Sequence, residues 1–101
     1  MQRTQKDVFT VIADPTRRAI LELLATDAMH VSALTQHFGI SRPAVSRHLR
    51  VLSQANLVAK SRVGRKRFYS LRPRQLQEVR MWIARFDRLW GVKLKNLKSD
   101  L

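Results

Sequence analysis

The chain has 101 residues, 45% of them hydrophobic, and no cysteine. It is long enough for one domain with a modest core and too apolar for a disordered chain, and without cysteine it has no disulfide, thiolate nucleophile or cysteine metal site. Its formal charge is +13, with ten basic residues and no acid between Asp27 and Glu78, a field of one sign that points to a polyanionic partner.

No apolar run of about 18 residues occurs, so no transmembrane helix is expected. The opening "MQRTQKDVF" lacks the apolar stretch of a signal peptide, and a cytoplasmic chain without a membrane role is the expectation. Thr4 to Ala13 reads as a first helix, with Val8, Phe9, Val11 and Ile12 giving a broad apolar face. Asp14-Pro15 ends it and opens a second helix to about Thr26, Asp as N-cap and Pro at the first helical position. Ile20, Leu21, Leu23 and Leu24 point inward. Arg17 and Arg18 sit in the first turn of that helix, where its dipole disfavours cations. They imply either a solvated pair or an outside anion or carboxylate.

Val31 reads as a strand stub, followed by a short helix from Ser32, its cap, to Phe38. Gly39 is expected to end that helix as a left-handed residue, and Ser41 caps the next. Two helices joined by a short turn containing Gly form a helix-turn-helix, here over residues 32–55. The second of them runs from Arg42 to about Ala55. Val45, Leu49 and Leu52 make its inner stripe. Pro43, Arg47, Arg50 and Gln54 lie opposite, with Ser46 on their edge and His48 at the boundary of the stripe. Arg42 lies in the first turn, where a helix entering a groove presents base-reading residues.

Val58 to Val63 and Lys66 to Leu71 are β-prone runs about Gly64-Arg65, a hairpin with a basic tip. Either Phe68 and Leu71 or Tyr69 faces inward; the alternation leaves both open. Pro73 opens the last helix, to about Leu97. Leu76, Val79, Ile83, Phe86, Trp90, Leu94, Leu97 and Leu101 step by three or four along it, widened by Trp82 and Leu89. A seam of that length on a small domain calls for a facing helix, most simply from a second copy.

The stretches "FTVIADPTRRAILELLA", "VSALTQHFGISRPAVSRHLRVLSQANLV" and "GRKRFYSL" resemble the ArsR family of bacterial winged-helix repressors, over roughly residues 6 to 71. The resemblance implies a mainly α fold with a small β-hairpin: about five helices plus a two-stranded wing at residues 58–71, in a single domain over 1–101. It implies a homodimer joined through residues 1–13 and 73–101, with Val8, Phe9, Leu76, Val79, Ile83, Phe86, Trp90 and Leu94 at the interface. It places DNA contacts at Ser41, Arg42, Pro43, Ser46 and Arg47, to which the outer face adds Arg50, and in the wing at Arg62, Gly64, Arg65, Lys66 and Arg67. Many members sense metals through cysteines on the third helix or Asp/His pairs on the last. Here the third helix reads "SALTQHF", and the last holds no histidine. The chain is therefore expected to be a metal-independent member without cofactor or catalytic site.

Phosphate contacts supply affinity and base contacts supply selectivity. Arg42 and Arg47 are expected to reach base edges in the major groove, and the wing tip to lie along the minor groove. Two copies imply a palindromic operator on double-stranded DNA, repression by occlusion of polymerase, and autoregulation as one use. His48 is read as packed rather than base-reading. Two other readings compete. A small-molecule effector at the dimer seam would make the protein a switched sensor. An RNA-binding module would need exposed aromatics for stacking, and only Tyr69 is a candidate.

Overall fold

The computed structural model describes the backbone of residues 7–99 and the side chains of residues 7–90. The expected start of the first helix at Thr4, the side chains of Leu94 and Leu97, and Leu101 lie outside the described residues.

The first four helices each begin where a polar side chain satisfies amides that the helix leaves unpaired. The Asp7 carboxylate accepts from the Thr10 amide at 3.2 Å and starts α1 (Val8–Ile12). The Asp14 carboxylate accepts from the Arg17 amide at 2.9 Å and starts α2 (Pro15–Thr26), with Pro15 at its first position. The Ser41 hydroxyl accepts from the Ala44 amide and starts α4 (Arg42–Gln54).

The junction before the third helix departs from expectation. The strand stub falls on Met29–His30 (β1), one step before Val31. His30, not Ser32, is the N-cap of α3 (Val31–Thr35), its Nδ1 accepting from the Ser32 amide at 3.0 Å. That helix is five residues long and gives way to turns before Phe38. Gly39 does not take a left-handed conformation; Gly64 and Asn56 are the described residues with positive φ.

Asn56 (φ 60°) closes α4. Its amide donates to the Ser53 carbonyl and the Leu57 amide donates to the Leu52 carbonyl, both at 3.0 Å. This pair of bonds is the Schellman arrangement, completed by apolar contact across the turn; Leu52 and Leu57 are both fully buried. Asn tolerates the left-handed region because its short polar side chain bonds locally.

β2 (Val58–Val63) and β3 (Lys66–Leu71) form the hairpin at the expected boundaries, joined by the two-residue turn Gly64-Arg65. Gly64 has φ 65° at the first turn position, the conformation glycine supplies without steric cost. The sheet has three strands rather than two, ordered β1-β3-β2, because Met29 pairs with Tyr69 and His30 with Phe68. The third strand roots the wing in the body of the domain. At the hairpin base the Arg72 amide donates to the Leu57 carbonyl at 2.8 Å. The open alternative on β3 resolves in favour of Tyr69, which is 9% exposed and belongs to the core. Leu71, on the same face, is half-buried; Phe68, on the other, sets its ring edge-on to His30.

The core joins Val11, Ile20, Leu34, Val45, Leu49, Leu52 and Leu57, all essentially inaccessible, from α1, α2, α3, α4 and the start of the wing. Full burial of a Leu, Ile or Val side chain contributes roughly 1.5–3 kcal/mol, so this cluster fixes α4 against the body. A single 3-10 turn (Pro73–Gln75) precedes α5 (Leu76–Ser99). Leu76 and Val79 pack on the core, whereas Met81, Trp82, Ile83, Phe86, Leu89 and Trp90 are exposed.

Candidate nucleic-acid interface

α4 carries its polar residues on three sides, and its neighbours decide what each side does. Val45, Leu49 and Leu52 face the core. Arg42, Ser46 and Arg50 are four apart and so share one side of the helix, the side turned toward the wing. Pro43 and Arg47 occupy the outer side and are exposed.

Between α4 and the hairpin lie two grooves. The first, about 520 Å³, is walled by Arg42 and Ser46 from α4, by Arg62, Arg65, Lys66, Arg67 and Tyr69 from the hairpin, and by His30, Val31 and Ser32. The second, about 350 Å³, is walled by Ser46, Arg50, Ser53, Gln54, Lys60, Arg67 and Tyr69. No acidic residue lines either. Guanidinium groups present planar forks of donors suited to phosphate, and two concave walls of one charge focus potential for an extended polyanion.

The fold thus gathers Arg42, Ser46, Arg50, Arg62, Arg65, Lys66 and Arg67, 25 residues apart in sequence at the extremes, around one continuous surface. Ser41 caps the helix and is not in either wall. Gly64 forms the hairpin tip and is not in either wall, nor are Pro43 and Arg47. His30, Ser32, Ser53, Gln54, Lys60 and Tyr69 were not among the expected site residues. Lys60 was available to sequence reasoning: with a two-residue turn at Gly64-Arg65 it pairs with Tyr69 and shares a face with Arg62 and Arg67. Gln54 lies on the polar side of α4 that the helical spacing marks, and the others depend on which elements meet. Ser53 Oγ is buried without a hydrogen-bond partner among the described residues.

His48 lies on the remaining side of α4, against α2. Its Nδ1 is 3.4 Å from a terminal guanidinium nitrogen of Arg17 and 4.0 Å from Asp14. It packs, half-buried, between helices. Arg17 and Arg18 find hydrogen-bond partners within the chain itself. Arg17 Nε donates to the Val11 carbonyl at 2.7 Å, and Arg18 donates to the Ile12 and Ala13 carbonyls at 2.9 and 3.1 Å. Both reach back across the Asp14-Pro15 corner to the carbonyls that the end of α1 leaves without intrahelical partners. Asp14 sits among these groups. The Arg17 amide, donating to its carboxylate, is the largest influence holding its pKa below the ordinary 3.8, followed after an opposing desolvation by the Arg17 and His48 charges.

Phe9, half-buried, meets Trp82 edge-on at 5.6 Å between ring centres, and Trp82 meets Phe86 at 5.0 Å. Val8, expected at a subunit interface, is only 4% exposed and belongs to the chain's own core. Leu76 and Val79 are partly buried there as well.

A family model described as "Bacterial regulatory protein, arsR family" matches residues 14–60, from the cap of α2 into β2. The transcriptional repressor SdpR of Bacillus subtilis is 41% identical over 80 residues, spanning 79% of this chain and 89% of that protein. The chain belongs to the arsR family. The HTH-type transcriptional regulator Rv2034 of Mycobacterium tuberculosis is 42% identical over 88 residues, spanning 87% of this chain and 79% of that protein. The crystal structure of a possible transcriptional regulator for arsenical resistance superposes with a TM-score of 0.69 at 42% identity, covering 91% of this chain and 93% of the other. Membership in the arsR family makes the chain a DNA-binding transcriptional regulator and not an enzyme. Among the described residues no helix is long and apolar enough to cross a membrane.

Proposed function

We propose that this arsR-family chain is a transcriptional repressor that binds a palindromic operator as a homodimer in the cytoplasm, and that it works without a metal signal. The observation that carries the DNA reading is the acid-free surface formed where α4 meets the wing, with Arg42, Arg62, Arg65, Lys66 and Arg67 around one groove. In the proposed complex α4 enters the major groove. Arg47 on the outer side, with Pro43 beside it, meets base edges. Arg42 and Arg50 flank the strand that runs between helix and wing. The basic tip around Gly64 follows the backbone toward the minor groove. Occupancy of the operator blocks polymerase.

Dimerisation is supported by the exposed apolar residues of α5. Trp82, Ile83, Phe86 and Trp90 are each between 43% and 55% exposed, a patch of the kind soluble proteins cover with a partner. A two-fold arrangement would present two copies of α4 about one helical turn of DNA apart. The reading without a metal signal is supported by the sequence, which has no cysteine anywhere and no histidine in the last helix. A footprint on a duplex enriched by the protein from random sequence tests the proposal. Two symmetric protected half-sites are expected; a single asymmetric patch, or uniform protection, would overturn the dimer on a palindrome.

A further inference from the structure

Three residues belong to the walls of both grooves: Ser46 of α4 and Arg67 and Tyr69 of β3. They form the ridge between helix and wing. Tyr69 differs from every other residue on that surface because its ring is part of the hydrophobic core, held against β1 by the pairing with Met29 and against β2 by the pairing with Lys60. A tyrosine whose hydroxyl is buried ordinarily finds a hydrogen-bond partner. The Tyr69 hydroxyl has no such partner among the described residues, and the buried partnerless side-chain atom there is Ser53 Oγ instead. The hydroxyl therefore opens to solvent on the ridge, as the polar tip of a rigidly packed ring. Around it stand long, exposed basic side chains; beside it on the ridge is the exposed hydroxyl of Ser46.

We propose that the Tyr69 and Ser46 hydroxyls together hold one phosphate of the duplex DNA backbone at the junction of α4 and the wing. This rests on the DNA-binding reading above and assigns the ridge a separate task. The arginines and lysines attract the duplex but swing on flexible stems. Tyr69 is fixed by the core, so a phosphate bound to its hydroxyl sets the depth and register at which α4 docks. Both donors are neutral. Their loss removes a hydrogen bond but neutralises no fewer phosphates, so the salt dependence of binding stays as it was.

The test is Tyr69→Phe in the full-length chain, measured against the duplex selected by the wild type and against single-base variants of that duplex. Affinity is expected to fall roughly 3- to 10-fold, as for one neutral hydrogen bond. The loss should be equal on every variant, since phosphate contacts carry no sequence information. The slope of affinity against salt and the melting temperature should be unchanged. Ser46→Ala should weaken binding similarly, and the double variant should lose less than the product of the two losses if they share one phosphate. Unchanged affinity in Tyr69→Phe overturns the proposal while leaving the DNA reading intact. A changed base preference, or a lowered melting temperature, overturns it too, by making the hydroxyl a base reader or a structural group. If the wild type binds its selected duplex no better than an unrelated one, the DNA reading fails and this proposal fails with it.

Discussion

Arg17 and Arg18 carry charges that the start of α2 disfavours, yet they are bound to the carbonyls of Val11, Ile12 and Ala13 at the end of α1. The sequence shows the charges and the corner at Asp14-Pro15, but not that the chain turns back sharply enough for both guanidinium groups to reach the preceding helix. Asp14 joins the same corner. Its pKa is held down chiefly by the Arg17 amide, so the unfolded chain takes up a proton more readily than the folded one, and stability rises with pH through that range. The contribution is complete above the ordinary value of 3.8 and is lost as the pH falls through the lower folded value. In thermal melts, Asp14→Asn should be less stable than the wild type at neutral pH, with the gap closing under acid. Asp14→Ala, which removes the cap altogether, should cost about 1 kcal/mol. On the DNA side the separation of Arg47 from the groove gives a division of labour. Arg47→Ala is expected to relax preference at one base position at a cost of about 1–3 kcal/mol. Arg65→Ala should weaken all sequences alike and lower the salt slope by about one. A binding titration over base variants and salt concentrations separates the two.

At the scale of elements, local chemistry marked most boundaries. Ser41 caps α4, Asp14 caps α2, and Gly64-Arg65 places the hairpin strands at residues 58–63 and 66–71. Features that depend on distant partners were not legible. β1 is two residues long, too short for any periodicity, and exists because β3 offers a free edge. Its displacement from Val31 moves the cap of α3 to His30, since the strand must end before the helix can start. The left-handed residues also fall elsewhere: Gly39 after α3 is not one, and Asn56 at the end of α4 is. Substitutions discriminate these roles. Asn56→Val should cost about 1–2 kcal/mol through the penalty on left-handed backbone, whereas Asn56→Gly should be neutral or better. Gly39→Ala should be tolerated and even raise the melting temperature by limiting the unfolded chain, because an added Cβ meets nothing within 4 Å. A helical wheel located the polar side of α4, but could not divide it, since only the position of the wing tells Arg42 and Arg50 apart from Arg47.

For the whole molecule, charge was the most informative property of the sequence: the acid-free half of the chain is the half that builds the two grooves. The apolar seam of the last helix divides where a monomer's core runs out. Leu76 and Val79 close the domain, and the residues beyond them stay exposed. Phe86→Glu places a charge in that exposed patch without touching the core, and should convert a dimer to a monomer by sedimentation while leaving the fold intact. Operator affinity should fall with it, because one α4 per molecule reads only half a palindrome. The most direct test of the account is to capture duplexes from a pool of fragmented genomic DNA at about physiological salt, where non-specific binding is already weakened, with the wild type and with Arg42→Ala plus Arg47→Ala. A few enriched fragments sharing an inverted repeat are expected, with loss of that preference in the double variant. Random fragments with the wild type, and merely weaker capture with the variant, would contradict this reading, leaving a basic surface without a code.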